Sequence, residues 1–289
     1  MNNLDSLNSI SLVTQILCFS ITTPLIALRL FARLKLHHSF GVEDGKIEQI
    51  HSCVFALPVA DQYLASCYIA WVYTFNSDVP FSPSGNRHEL KIFYIATMIY
   101  VPMVLFVKTS LIYTLIRLWS PYRAKVVALY TFLTIIIAYY IVILFVKVFS
   151  CTPIHLLWEV NYLAGSCLNR SAIIIADSVI SVTTDLAILT FPIALTWGLQ
   201  MAVSKKLHII VILGAGGTAI AFSIYRLALV IRSRDAPFQR DLYLKILLSD
   251  NAEGGLGLIC TCIPAINKLI SHLKQVYNQK RNKRQFQVV

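Results

Sequence analysis

The feature that most constrains this chain is a series of seven apolar stretches, each long enough to cross a lipid bilayer. A transmembrane helix needs about 20 predominantly apolar residues to span the hydrocarbon core. We number the stretches as spans one to seven: Ile10–Phe31, Ile47–Phe75, Ile92–Trp119, Val126–Phe149, Ser171–Leu199, His208–Ile231 and Lys245–Ile270. The pattern predicts an all-α polytopic membrane protein, a bundle of seven transmembrane helices.

The composition agrees with a protein whose main solvent is lipid. Of the 289 residues, 57% are hydrophobic and only 13% are charged, which is far from the average of soluble domains. Seven spans with short connections use nearly the whole length, so we expect no separate soluble domain. The expected organisation is a short outer N-terminus (1–9), a membrane domain (10–270) and a basic cytoplasmic tail (271–289).

The net charge of +11 would be compatible with nucleic-acid binding, but its distribution favours a role in membrane topology. Basic residues follow spans one, three, five and seven, which predicts an outer or lumenal N-terminus and a cytoplasmic C-terminus. The tail carries Lys280, Arg281, Lys283 and Arg284, which we expect to contact anionic lipid headgroups. We expect no nucleic-acid partner, and the sequence leaves the kind of membrane open.

The two longest predicted outer loops are Asn76–Leu90 and Ser150–Arg170. Two cysteines lie in the second of them. Cys151 and Cys167 would both face an oxidising compartment. A disulfide between them would close a loop of about 17 residues and stabilise the fold by roughly 3 kcal/mol in the chain-entropy model. No Cys/His spacing indicates a metal site.

Ionisable residues inside spans are costly and usually functional or paired. At about 1.5 Å per residue, these residues fall at two depths. The deeper level, about 20–24 Å from the outer face, contains Asp61, Lys108 and Asp185. The shallower level, roughly 6–10 Å from that face, contains Asp177, Arg226, Asp250 and Glu253.

These residues support two interpretations. In the first, they form an outward-opening polar pocket for a small lipophilic or anionic ligand. In the second, they are structural ion pairs. Either way we expect Lys108 to be countered by Asp61 or Asp185, because an unpaired charge there is costly, and Arg226 by Asp177 or Glu253. Asp250 and Glu253 are three residues apart and share one helix face.

Retinal is not expected as a cofactor, and no other cofactor is predicted. Apart from its first residue, Lys245, span seven offers only Lys268, at its cytoplasmic end, for a Schiff base. Glycines in spans six and seven would allow close helix packing or would leave a hinge or ligand-facing gap. They are Gly214, Gly216, Gly217, Gly254, Gly255 and Gly257.

Several motifs, taken in this order, carry a family resemblance. They are Arg29-Leu-Phe-Ala-Arg33 leading to Phe40-Gly41-Val42-Glu43-Asp44; Lys108-Thr-Ser110 with Tyr113 and Arg117; Cys151-Thr-Pro153 with Trp158; Asp185-Leu-Ala-Ile with Pro192, Trp197, Leu199-Gln200-Met201 and Lys205-Lys206; Ser223-Ile-Tyr-Arg226; and Glu253 with Cys260 and Cys262-Ile-Pro264. The chain resembles the fungal rhodopsin-domain family of seven-helix membrane proteins, which includes CFEM-type receptor-like proteins and the satratoxin-cluster integral membrane protein. The resemblance implies a rhodopsin-like fold.

The chain also departs from the family pattern. The loop after Gly41 lacks the usual Trp, Ala65-Ser-Cys-Tyr68 replaces a Gly-x-Gly-x-His element, and the Trp before Glu253 is missing. No cysteine-rich CFEM segment stands before span one. These departures favour a divergent member, similar to those encoded in secondary-metabolite clusters.

Two functions remain open at this level. The first is a receptor-like or accessory protein with a small-molecule pocket in the outer half of the bundle, an analogy at family level. The second is a membrane-embedded isomerase or cyclase that uses an intramembrane carboxylic acid, for which Asp61, Asp185 and Glu253 are the catalytic candidates. Absence of internal repeats argues against a transporter.

Overall fold

The computed structural model describes residues 9, 13–17, 20–25, 27–28, 63–68, 83–120, 122–152, 166–196, 203–233 and 240–286. Helical residues occur in every one of the seven predicted spans. The prediction of an all-α fold is therefore confirmed. Asp61, a candidate in the sequence, lies outside the described residues.

The helices are numbered in chain order. Helix α1 comprises residues 13–17 and 20–25, and α2 comprises residues 63–68. They are followed by α3 (Pro83–Leu118), α4 (Arg123–Val148), α5 (Arg170–Thr196), α6 (Val203–Ser233) and α7 (Arg240–Phe286). A short antiparallel pair, β1 (Cys151–Thr152) and β2 (Ser166–Cys167), lies between α4 and α5.

Four helical segments of the described chain are long and apolar enough to cross a membrane. They are Leu90–Ile116, Arg123–Val148, Ser171–Ile193 and Leu242–Ile263. These segments coincide with predicted spans three, four, five and seven. Helix α6 contains predicted span six, whereas spans one and two are described only in part.

Two helices extend further than the sequence predicted. Helix α3 begins at Pro83, inside the predicted loop Asn76–Leu90, because proline is favoured at the first helical position, where its missing N–H costs nothing. Helix α7 continues to Phe286, so most of the predicted tail is helical. The residues beyond Ile270 are rich in Lys, Arg and Gln and include no Gly or Pro, and such a composition favours helix.

Helix α3 lies at the centre of the packing. It contacts α4 and α7, while α6 packs between α5 and α7. The principal core includes Met103 and Ile112 of α3, Ile136 and Tyr140 of α4, and Leu258 of α7.

Glycines of α7 permit the close approach of α2 and α3. A Cβ atom at Gly254 would lie 2.6 Å from Met103 Cε, and one at Gly255 would lie 2.7 Å from the Tyr63 hydroxyl. A Cβ atom at Gly257 would overlap Val107. By contrast, added Cβ atoms at Gly214 and Gly217 of α6 would meet nothing within 4 Å. Close packing therefore accounts for the glycines of α7 and not for these two.

The connection between α4 and α5 is fixed covalently. Cys151 of β1 lies opposite Cys167 of β2, and the two sulfurs form a disulfide. Next to it, the Asn169 side chain accepts a 3.2 Å hydrogen bond from the Ala172 N–H and so caps the start of α5.

Candidate functional site

A buried ion pair joins the middle of α3 to the middle of α5. Lys108 Nζ lies 2.9 Å from Asp185 Oδ1, and the lysine side chain is only 2% exposed. The ammonium also donates to the carbonyl and hydroxyl oxygens of Ser181, both at 3.0 Å, and to Thr184 Oγ1 at 2.6 Å. Ser223 of α6 donates to the other Asp185 oxygen at 2.9 Å. Of the two predicted partners, the structure thus places Asp185 beside Lys108.

A second cluster lies nearer the predicted outer face. Arg226 Nη1 of α6 lies 3.0 Å from Asp250 Oδ1 and 3.6 Å from Glu253 Oε2 of α7. The Tyr100 hydroxyl of α3 donates to Glu253 Oε2 at 2.9 Å. The Arg226 guanidinium carbon also lies 4.5 Å from the centre of the Tyr100 ring, within the range of a cation–π interaction.

Asp177 pairs with a lysine that the sequence did not offer. For Arg226 the sequence offered Asp177 or Glu253, and the structure places Glu253 beside it, at 3.6 Å. Asp177 Oδ2 lies 2.6 Å from Lys147 Nζ of α4, and both side chains are buried. Lys147 was missed because it occupies the last turn of α4, where a lysine ordinarily extends to the membrane surface. The one signal that could have indicated a buried Lys147 is Asp177, a carboxylate on the next helix at a similar predicted depth.

The two predicted levels form one connected network. The Ser181 hydroxyl accepts a hydrogen bond from Lys108 and donates one to Glu253 Oε1 at 3.0 Å. Polar contacts therefore run without interruption from Asp185 through Lys108, Ser181 and Glu253 to Arg226. Ser181 provides the hydrogen bonds that connect the two levels, and Tyr100 adds one to Glu253. Serine and tyrosine are common at helix interfaces, so nothing in the sequence singled out these two residues.

A cavity of about 60 Å³ lies against this network, between α3, α5, α6 and α7. Among the described residues of its wall, Asp185 alone is charged, and Thr114 adds a hydroxyl. The remaining lining residues are small, aliphatic or sulfur-containing: Leu111, Leu115, Ile188, Leu189, Pro192, Gly216, Ala219, Gly257 and Cys260.

The cavity lies on the other side of the Lys108–Asp185 pair from the side the sequence suggested. Its residues follow Lys108 along α3 and Asp185 along α5, toward the predicted cytoplasmic ends. The predicted ligand-binding residues Asp177, Arg226, Asp250 and Glu253 are instead drawn into ion pairs. The sequence left open an outward pocket or structural ion pairs for these residues, and ion pairs are what the structure shows among them.

Long apolar helices around a buried polar network define a polytopic integral membrane protein. Residues 28–272 match the sequence model of the fungal rhodopsin domain. The chain belongs to this family, as its motifs predicted.

Two relatives are similar to the chain. A SAT4 family membrane protein of Emericella nidulans is 29% identical over 194 residues, which cover 66% of this chain and 48% of the relative. Fugralins biosynthesis cluster protein 2 of Gibberella zeae is 22% identical over 97% of this chain and 71% of the relative. The chain thus spans about half the length of the first relative. No solved structure matches it.

Proposed function

We propose that this protein is a receptor-like or accessory membrane protein that binds a small lipophilic molecule. The observation that carries the proposal is the cavity beside Asp185. The described part of its wall is apolar except for this carboxylate and the Thr114 hydroxyl. Sites for small ligands combine a mostly apolar lining with a few polar groups that fix orientation. At about 60 Å³ the cavity admits a small molecule or one end of a longer one.

The negative charge of Asp185 in the cavity wall favours a neutral ligand over an anionic one. The sequence left a lipophilic and an anionic ligand open. An anion would meet the Asp185 carboxylate, and like charges in a low-dielectric site repel strongly. A neutral lipophilic ligand with a hydroxyl or amide N–H could instead donate to Asp185 without displacing Lys108.

A role in secondary metabolism is supported by sequence similarity to a protein of a biosynthesis cluster. The Gibberella zeae relative is named for a fugralin biosynthesis cluster, and the similarity extends over nearly the whole of this chain. We therefore propose that the ligand is an intermediate or product of such a pathway, and that the protein senses it or assists its handling at the membrane.

The cavity geometry favours binding over acid catalysis. An isomerase or cyclase of the kind considered needs a protonated carboxyl group next to its substrate. Asp185, the carboxyl group in the cavity wall, pairs with Lys108 and accepts a hydrogen bond from Ser223, which favours its ionised form. Glu253 does not line the cavity.

The proposal can be tested with a matched pair of glycine variants. A Cβ atom at Gly216 would lie 2.8 Å from Leu189 Cδ1, and both residues line the cavity. Gly216→Leu should therefore fill the cavity, whereas Gly217→Leu, one residue along the same helix, points into open space.

The experiment is to incubate each protein in lipid nanodiscs with an organic extract of a culture of the fungus that encodes it. Retained compounds are then identified by mass spectrometry. We expect a lipophilic compound enriched on the wild type and on Gly217→Leu and lost from Gly216→Leu. Retention no greater than on empty nanodiscs, or equal retention by Gly216→Leu, would overturn the proposal.

A further inference from the structure

In the described part of the bundle, the buried ion pairs contain more carboxylates than cations. The cations are Lys108, Lys147 and Arg226, and the carboxylates are Asp177, Asp185, Asp250 and Glu253. Three cations against four carboxylates leave one negative charge in excess. Uncompensated charge in a buried site is costly, and proteins commonly avoid it by binding a proton.

The pairing of the charges shows where the excess negative charge lies. Lys108 pairs with Asp185 and Lys147 pairs with Asp177, one to one. Arg226 alone is shared, since both Asp250 and Glu253 contact the same nitrogen atom, Nη1. The extra carboxylate is therefore one of these two residues on α7.

Among the residues that the structure describes, the remaining neighbours of the pair do not supply the missing charge. Tyr100 and Ser181 donate neutral hydrogen bonds to the two oxygens of Glu253. The titratable or charged groups that face the pair from the packed helices are Tyr100 and Lys108 of α3, Tyr140 and Lys147 of α4, Asp177 and Asp185 of α5, and Arg226 of α6. Both lysines in this set are already matched by an aspartate.

From this arrangement we propose that Asp250 and Glu253 together bind one proton in the folded protein. Two carboxyl groups that share a site do not both ionise readily, and the proton belongs to the pair rather than to either residue. With this proton the network is neutral. A metal cation is a poorer occupant, because the Arg226 guanidinium already lies between the two carboxyl groups and would repel it.

Binding or loss of this proton would change the charge at the contact between α6 and α7, and so affect how these two helices pack. Arg226 lies on α6 and both carboxyl groups lie on α7, so the site spans the contact between these two helices. Loss of the proton leaves a net negative charge within that contact, which favours separation of α6 from α7 or entry of water. The proposal is independent of the ligand proposed above, because neither Asp250 nor Glu253 lines the cavity.

Infrared spectroscopy of the purified protein in nanodiscs at neutral pH tests the proposal directly. A protonated carboxyl group gives a C=O stretching band that shifts in D₂O. We expect this band in the wild type. Either Asp250→Asn or Glu253→Gln should abolish it, because the remaining carboxylate then has Arg226 to itself. Lys147→Met/Asp177→Asn removes one cation and one carboxylate together, so it keeps the excess of one negative charge. This double variant is the matched control and should retain the band.

Absence of the band from the wild type would overturn the proposal, as would its persistence in both α7 variants. Should a variant fail to fold, wild-type protein with ¹³C in its Asp or its Glu carboxyl groups answers the same question. The acid band must then move with one or both labels, and a wild type without such a band contradicts the proposal.

Discussion

Lys108 and Asp185 lie 2.9 Å apart between α3 and α5. Their pair forms one end of the buried network, and Asp185 is also part of the cavity wall. Helices in lipid gain little from hydrophobic association, so close packing and polar contacts between helices hold them together. Here the network joins α3, α5, α6 and α7 through side chains that have fixed partners. The same residues that hold the bundle therefore shape the candidate ligand site.

The Lys147–Asp177 pair should be essential for stability. Lys147→Met leaves Asp177 as a buried charge without its cation, and removing one partner of a buried pair costs about 3–5 kcal/mol. We expect a strong fall in the thermal unfolding midpoint, measured by circular dichroism in nanodiscs, and partial recovery in Lys147→Met/Asp177→Asn. Lys274→Met, at an exposed position of α7, is the control and should unfold like the wild type. Equal behaviour of the two lysine variants would contradict the assigned pairing.

The disulfide should stabilise the fold as a single unit. Cys151→Ser, Cys167→Ser and the double variant each remove the same covalent bond. Each should lower the free energy of unfolding by about 3 kcal/mol, and by similar amounts. Chemical denaturation with and without reductant checks this prediction: reductant should destabilise the wild type and leave the variants unchanged. A double variant much less stable than both single ones would show that the cysteines act separately.

The contact of α7 with α3 at Gly257 should tolerate no larger side chain. Gly257→Ala places a methyl group against Val107, and overpacking of this kind costs about 1–3 kcal/mol. Gly217→Ala makes the same chemical change where nothing lies within 4 Å and should be neutral or slightly stabilising, because alanine favours helix more than glycine. Thermal unfolding of both proteins measures the difference, and equal destabilisation would refute the close approach of α3 and α7.

Much of the fold followed from the sequence, because apolar length is set by bilayer thickness. For spans three, four, five and seven, most predicted ends lie within a few residues of the apolar helical segments. The pairing of Lys108 with Asp185 was among the alternatives because depth along a helix can be counted. The face that each helix turns toward its neighbours cannot be predicted in the same way, since spans that are apolar on all faces show little periodicity. For that reason the choice between Asp177 and Glu253 as the partner of Arg226 stayed open, Lys147 was missed, and the cavity was expected on the other side of Asp185.

The orientation of the chain stays a prediction from charge. Basic residues after the odd-numbered spans place the N-terminus outside and the C-terminus in the cytoplasm. A glycosylation acceptor fused to the N-terminus should be modified in cells, and the same acceptor fused after Val289 should not. The opposite pattern, or modification at both ends, would exclude the predicted topology and would also place Cys151 and Cys167 in doubt as residues of an oxidising compartment.

The most direct test of the network is a double-mutant cycle on Lys108 and Asp185. Lys108→Met and Asp185→Asn each leave one buried charge unpaired, at a cost of about 3–5 kcal/mol, while the double variant removes both charges. Unfolding of the four proteins in nanodiscs gives the coupling energy between the two positions. We predict that the double variant is more stable than either single variant; losses that simply add would show that the two residues do not form the ion pair on which the site depends.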